Sequence, residues 1–395
     1  MRMTKNMGLI ACCLILLFYG CVDPFEPVLD ESDAQDLLVV EGLITNETGA
    51  FGIRLTSSAP VYNTDPNIVN EFRPVSGAVV QITDDRENQY LLFENEAGWY
   101  ETEEKDLNGT PGYSYTLSVT TPDGIQYESS PVLMQEGVEV EQVYFEEFGK
   151  TYFDQDAPYT EHWINIMLDA RAPGEEVTYF KWEFEETWEF EMPGYIRVDH
   201  GTDAFSPPPT IETVEIEAVK KHCWVSGSSQ SILVKSTIDS PSNEIRNFVI
   251  QSIGPPDDRL NIKYSILLKQ YVIARDLYDF FRMVRESNEE TGGIYEKTPA
   301  RIPGNIKCCD GSRQALGYFM ASAVHTKRIF IEAAQHSVSK GTAFAGCGWT
   351  TDIPRYLPVF LYGTYNRGET DVWSTNNYCT DCRIRGTSEQ PDFWE

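Results

Sequence analysis

Apolar and polar positions alternate along most of this chain with the period of β-strands rather than helices. Residues 37–45 open a series of predicted strands that continues through 51–56, 78–83, 89–93 and 113–120, with turn residues between nearly all of them. The clearest hairpin sets 115–120 against 124–127 through Thr121-Pro122-Asp123-Gly124, where proline fixes φ and glycine accepts a positive φ. Further on, 180–191 is the most regular segment. Phe180, Trp182, Phe184, Trp188 and Phe190 share one face, while Glu183, Glu185, Glu189 and Glu191 share the other. Glu186 alone breaks the apolar side, which predicts a bulge or bend there. The aromatic face reads either as a sugar-stacking platform or as the core face of a strand with a solvated acidic back, and the core reading is preferred. More strands are expected at 223–225, 231–236 and 264–273. Leu277, Phe280, Phe281 and Val284 follow the helical period i, i+3, i+4, i+7, ending at Gly292-Gly293, and predict one amphipathic helix near 274–291.

The first twenty residues follow a different pattern. Arg2 and Lys5 give a positive start, residues 7–19 an apolar run too short to span a bilayer, and Gly20 a small residue before Cys21. This resembles the lipobox of bacterial lipoproteins. The resemblance implies cleavage before Cys21, a diacylglycerol on its thiol and an N-acyl chain on its new amino terminus. At about 0.8 kcal/mol per buried methylene, such chains hold a protein to a membrane without a spanning helix. Residues 22–36 carry two prolines, several acids and no apolar period, and predict a leash reaching at most roughly 50 Å.

Composition narrows the class. The chain has 395 residues, ample for two or more cores, and its 12% aromatics, 28 glycines and 22 prolines favour turn-rich β structure with helix in the minority. Lys plus Arg number 31 against 61 for Asp plus Glu, a net charge of -30, which makes nucleic acid an improbable partner. Of nine cysteines, the lipobox resemblance implies that Cys12 and Cys13 leave with the signal and that Cys21 takes the lipid. Cys223, Cys308, Cys309, Cys347, Cys379 and Cys382 remain as disulfide candidates, with fifteen possible pairings. All six follow residue 220. The expected organisation is therefore 1–20 signal peptide, 21–36 lipidated acidic linker, 37–135 a first β domain closed by Pro131 and Gly137, and 136–395 a larger β-rich domain carrying the helix.

No His-Glu-x-x-His, Gly-x-Ser-x-Gly, calcium-loop, phosphate-loop or dinucleotide motif occurs in the sequence. Paired carboxylates for glycoside hydrolysis stay open, because acids are too numerous for spacing to discriminate. Cys379-x-x-Cys382 reads as half a zinc site, a redox pair or part of a disulfide; the last is preferred, since no second matched pair and no thioredoxin-like context accompany it. No metal and no cofactor beyond the covalent lipid is expected.

Several strings carry a resemblance. Val75-Ser76-Gly77-Ala78, Gly98-Trp99-Tyr100 and Gly112-Tyr113-Ser114-Tyr115 look like the immunoglobulin-like or transthyretin-like accessory sandwiches of exported bacterial proteins. Leu38-Val39-Val40-Glu41-Gly42, Tyr264-Ser265-Ile266, Pro303-Gly304-Asn305-Ile306, Leu316-Gly317-Tyr318-Phe319 and the segment from Cys379 to Trp394 together resemble a family of Bacteroidota lipoproteins classed as a domain of unknown function, often encoded beside TonB-dependent receptors. Cys308-Cys309 departs from what that family leads one to expect. The resemblance implies an outer-membrane, surface-exposed location and a TonB-dependent receptor as partner. Three functions follow: a non-enzymatic capture or lid partner of such a transporter, which is favoured; a surface hydrolase of glycans or peptides; and an adhesin or structural surface protein. The C-terminal aromatics Phe393 and Trp394 and exposed aromatics of the second domain are the candidate partner contacts, with core packing as the competing fate of each.

Overall fold

In the computed structural model the β period becomes four hydrogen-bonded sheets and one 15-residue helix, Arg275–Glu289, among the described residues. Those residues are 37–58, 73–154, 157–191, 195–199, 210–212, 221–289, 302–341, 359–362, 373–374 and 381–394. The chain is mainly β, as its pattern requires.

Leu38–Ile44, Gly52–Ser57, Val79–Asp84, Gln89–Glu96, Trp99–Thr102, Ser114–Thr120 and Gln126–Ser129 pair antiparallel in a first sheet, and the predicted hairpin forms with Ser118 opposite Glu128 and Thr120 opposite Gln126. Every second side chain turns inward, so Val40, Ile53, Leu55, Ile82 and Leu117 are almost wholly buried. This sheet does not end at residue 135. Ile306–Cys308 adds antiparallel to Gln126–Ser129 at one end, and Ala315–Ala321 adds parallel to Leu38–Ile44 at the other. The division expected at 135 gives way to a body built from two distant stretches of chain. Its hydrogen bonding is one continuous 11-stranded sheet. The two ends meet where buried Asn305 donates to Phe319 O at 2.8 Å and accepts from Phe319 N at 2.9 Å. Gly317 permits the parallel pairing: it has φ +85°, and a Cβ there would stand 2.0 Å from Val40 O.

The second body is a sandwich. One layer holds Gln142–Asp154, Ala157–Arg171 and Glu244–Ile253; the other centres on Tyr179–Glu191 and Lys263–Ile273, flanked by His222–Ser228, Leu233–Ser236 and Val324–Glu332. Ile164, Ile166 and Leu168 from the first layer pack with Phe180, Trp182, Ile266 and Leu268 from the second. The preferred core reading of the aromatic face therefore holds for Phe180, Trp182, Phe184 and Phe190, all buried. The buried Trp182 indole donates to Gln270 Oε1 at 2.9 Å.

The bulge expected at Glu186 is absent. Pairing with Lys263–Ile273 runs in register from Tyr179 to Trp188. Glu186 stays on the core side because it finds partners: Arg259 Nη1 donates to both its oxygens at 3.0 and 2.9 Å, and the Tyr264 hydroxyl donates to Oε2 at 2.7 Å. Arg259 is held in turn by Asp257, with contacts of 2.6 to 3.0 Å. A satisfied carboxylate needs no kink to escape. A smaller sheet pairs Tyr195–Asp199, Thr210–Glu212, Val359–Tyr362 and Trp373–Ser374.

The helix forms where its period predicted it and turns Leu277, Phe280 and Phe281 into a cluster with Val234, Tyr271, Ile273, Met320, Val324 and Leu43. Leu43 and Met320 belong to the first sheet and Tyr271 and Ile273 to the second body, so this cluster joins the two.

Candidate ligand-binding cleft

Beside that joining cluster the two bodies leave a cleft of about 870 Å³. Its walls are sheet faces. From the first sheet come Glu41 and Leu43 of one strand, Gly52 and Arg54 of the next, and Trp99 of a third, neighbours by register: Leu43 stands opposite Gly52, Glu41 opposite Arg54, and Arg54 opposite Trp99. The facing wall is the back of Tyr179–Glu191, with Lys181, Glu183 and Glu185 at alternate positions and Lys269 opposite Glu183. The 228–233 turn and helix residues Phe280, Phe281 and Val284 complete the lining.

The acidic back of this strand was expected to face solvent. Glu183, Glu185 and Glu191 do keep substantial side-chain exposure, and Glu183 and Glu185 line the cleft with their charges paired. Lys181 is buried and pairs with Glu183, with its ammonium 5.1 Å from both the Tyr271 and Phe281 rings. Tyr271 donates to the other Glu183 oxygen at 3.1 Å, and Lys269 pairs with Glu185 at 2.6 Å. Burial pushes the Glu183 carboxyl up, but the Lys181 ammonium and the Tyr271 hydroxyl outweigh it, and the group lies below the ordinary glutamate value. Burial and the neighbouring Glu183 charge push the Tyr271 hydroxyl far above the ordinary tyrosine value, so it remains a donor. Farther along the same face, Glu189 meets His222 and accepts from the Trp394 indole at 3.3 Å, so the C-terminal segment covers that end.

That segment carries several of the predicted residues. Cys382 is bonded to Cys223 across 159 positions. Trp224 and Thr387 exchange backbone hydrogen bonds, and Arg385 pairs with Asp258 at 2.9 Å. Trp394 is 6% exposed and packs edge-on to Trp224 and Phe330. The reading of Trp394 as a partner contact is therefore corrected: the body buries it, and its N–H finds Glu189. Phe393 is partly exposed, with the Arg328 guanidinium 3.6 Å from its ring centroid. Cys308 and Cys309 are corrected as disulfide partners, because both are free thiols. They lie at the end of a strand, where successive side chains point to opposite faces; Cys308 is buried and donates to Asp310 Oδ1 at 3.0 Å, whereas Cys309 is exposed. Cys21, Cys347 and Cys379 lie outside the described residues. Among those residues no group of three or more His, Cys, Asp or Glu is placed to hold a metal, and no helix is long and apolar enough to cross a membrane.

Sequence reasoning missed the first-sheet wall of the cleft. Trp99 stood out only within the Gly98-Trp99-Tyr100 string and Glu41 within Leu38-Val39-Val40-Glu41-Gly42, and Arg54 only as a polar position of a predicted strand. A partial signal was available, because Leu43, Glu41, Arg54 and Trp99 are outward positions by parity and include an aliphatic and an indole where polar residues belong.

Fold and cleft together define a mainly β, two-body protein with an open cleft between sheet faces. The chain belongs to the family described as Domain of unknown function (DUF4249), which matches residues 22–328. The match includes the strings at 38–42, 264–266, 303–306 and 316–319, and the segment from Cys379 to Trp394 falls beyond it. No curated protein matches the chain.

Proposed function

We propose that this protein is a lipid-anchored, non-enzymatic capture partner of a TonB-dependent transporter, held at the outer membrane by acylated Cys21. The observation that carries the reading is the cleft. It is open, about 870 Å³ in volume, lined by aromatic side chains and paired charges, and carried on sheet faces that fix its shape. A body on a leash of this length samples the membrane surface around a transporter without embedding in it. The net charge of -30 favours that arrangement, because an acidic body is repelled by anionic headgroups.

Two measurements test the proposal. Cells grown with labelled palmitate should yield labelled protein, and Cys21→Ser should abolish the label. Extraction in mild detergent should recover the protein together with a large β-barrel receptor; repeated recovery of the acylated protein alone would refute the transporter partnership.

A further inference from the structure

We infer that the cleft binds a neutral carbohydrate chain, with Trp99 as its stacking platform. This rests on the reading of the cleft as the capture site and adds the class of ligand.

The platform is built by a glycine. Gly52 lies beneath Trp99, and a Cβ at that position would stand 2.5 Å from Cζ2 and 2.8 Å from Cη2 of the indole. Because no side chain occupies this spot, the benzo half of the ring settles against the backbone of Gly52–Ser57. Trp99 is only partly buried there and lines the cleft. Arg54, its cross-strand neighbour, sets its guanidinium over the ring at 5.4 Å from the centroid, covering part of one face and steadying the indole. An indole seated on a sheet beside an open cleft presents a flat apolar surface of the kind that covers the C–H face of a sugar ring.

The electrostatics select neutrality. The chain carries a net charge of -30, yet the cleft is lined by three cations, Arg54, Lys181 and Lys269, and three carboxylates, Glu41, Glu183 and Glu185. Two of the carboxylates are tied to the lysines, so a charged ligand would compete with existing pairs. Hydroxyl groups both donate and accept. They suit a surface where fixed carboxylates accept and the ammoniums, together with the polar Ser228–Ser231 turn, donate. Along the two main walls a peptide cannot add as a strand. The strands carrying Gly52 and Lys181 each have hydrogen-bonded neighbours on both sides, so they offer no free edge for a peptide to join.

The test titrates full-length, detergent-extracted protein with short neutral oligomers of glucose, mannose and xylose, using calorimetry. Oligogalacturonate and a mixture of tryptic peptides serve as charged and peptide probes. We expect heat from at least one neutral series, with affinity lowered about tenfold or more by Trp99→Ala and substantially by Gly52→Ala, while Trp99→Phe retains an intermediate affinity. Gly52→Ala and Trp99→Phe keep the test open should Trp99→Ala fold poorly, and circular dichroism checks each variant. Binding of only the charged or peptide probes, no neutral binding at all, or neutral binding indifferent to all three variants would each overturn the inference. Receptor copurification from the same extract separates the two readings. A receptor recovered without sugar binding sinks the ligand class and leaves the partnership standing; Trp99-dependent sugar binding without a receptor does the reverse.

Discussion

Replacing Glu186 tests the account of the second body most directly. Its carboxylate is 8% exposed, inside a sheet that runs through it without a bulge, and accepts three hydrogen bonds from Arg259 and Tyr264. Hydrogen bonds to charged groups contribute about 1.5–3 kcal/mol each, and breaking a buried pair costs about 3–5 kcal/mol. Glu186→Ala should fall near the lower figure. Asp257 keeps its own bonds to Arg259, and the Arg259 side chain is 18% exposed, so water reaches the released guanidinium. The fully buried Tyr264 hydroxyl has no such relief. We expect a loss of about 3 kcal/mol for Glu186→Ala and roughly half that for Glu186→Gln, which still offers Tyr264 an acceptor. The combined replacement Glu186→Leu, Arg259→Met and Tyr264→Phe should return to within about 1 kcal/mol of the original, because it removes buried polarity instead of orphaning it. Urea unfolding followed by tryptophan fluorescence reads the change, with Trp182 and Trp188 on the same strand as reporters. A loss below about 0.5 kcal/mol for Glu186→Ala, or a triple variant as weak as the single one, would refute the reasoning.

Further outcomes follow from other parts of the molecule. Glu183 has a folded-state value below its unfolded one, so its pairing stabilises the protein above the unfolded value near 4.3 and is lost as pH falls through the folded value; Lys181→Met should flatten the decline in urea midpoint between about pH 6 and about pH 3. In the native, unreduced protein iodoacetamide should label Cys309 rapidly and spare buried Cys308, and peptide mapping should recover Cys223 linked to Cys382; equal labelling of the two thiols would contradict their placement. In the chain-entropy account a loop of 159 positions gives that disulfide a ceiling of about 5 kcal/mol, and Cys382→Ser should make the segment ending in Trp394 newly sensitive to protease. Asn305→Ala leaves both backbone groups of Phe319 without their side-chain partner where the first sheet closes and should cost about 2–3 kcal/mol by thermal unfolding.

What the sequence made legible was local. Parity placed Phe180, Trp182 and Phe184 in the core, and the four apolar positions from Leu277 to Val284 placed the helix, because both signals repeat within a few residues. The rest depends on pairs that pattern cannot join. Glu186 looked like a break because its partners stand 73 and 78 positions away. Leu38 pairs with Ala315, and nothing in either strand announces the other. Trp99 acquires its setting from Gly52, with three other strands between them in the chain. The C-terminal aromatics looked available for a partner because nothing in the sequence joins Cys382 to Cys223, 159 positions away, in the disulfide that seats them.

The return of residues 306–321 to the first sheet also governs motion. Two bodies joined by a single linker open and close like a jaw. Here the chain passes between them after Leu133, again between the helix and Ile306, and again within the two residues separating Ala321 from Val324. Among the described residues these three crossings and a shared apolar cluster tie the two bodies together beside the cleft. On the capture reading proposed above, such bracing has a ligand selected by fit to a standing surface rather than by closure of one body on the other.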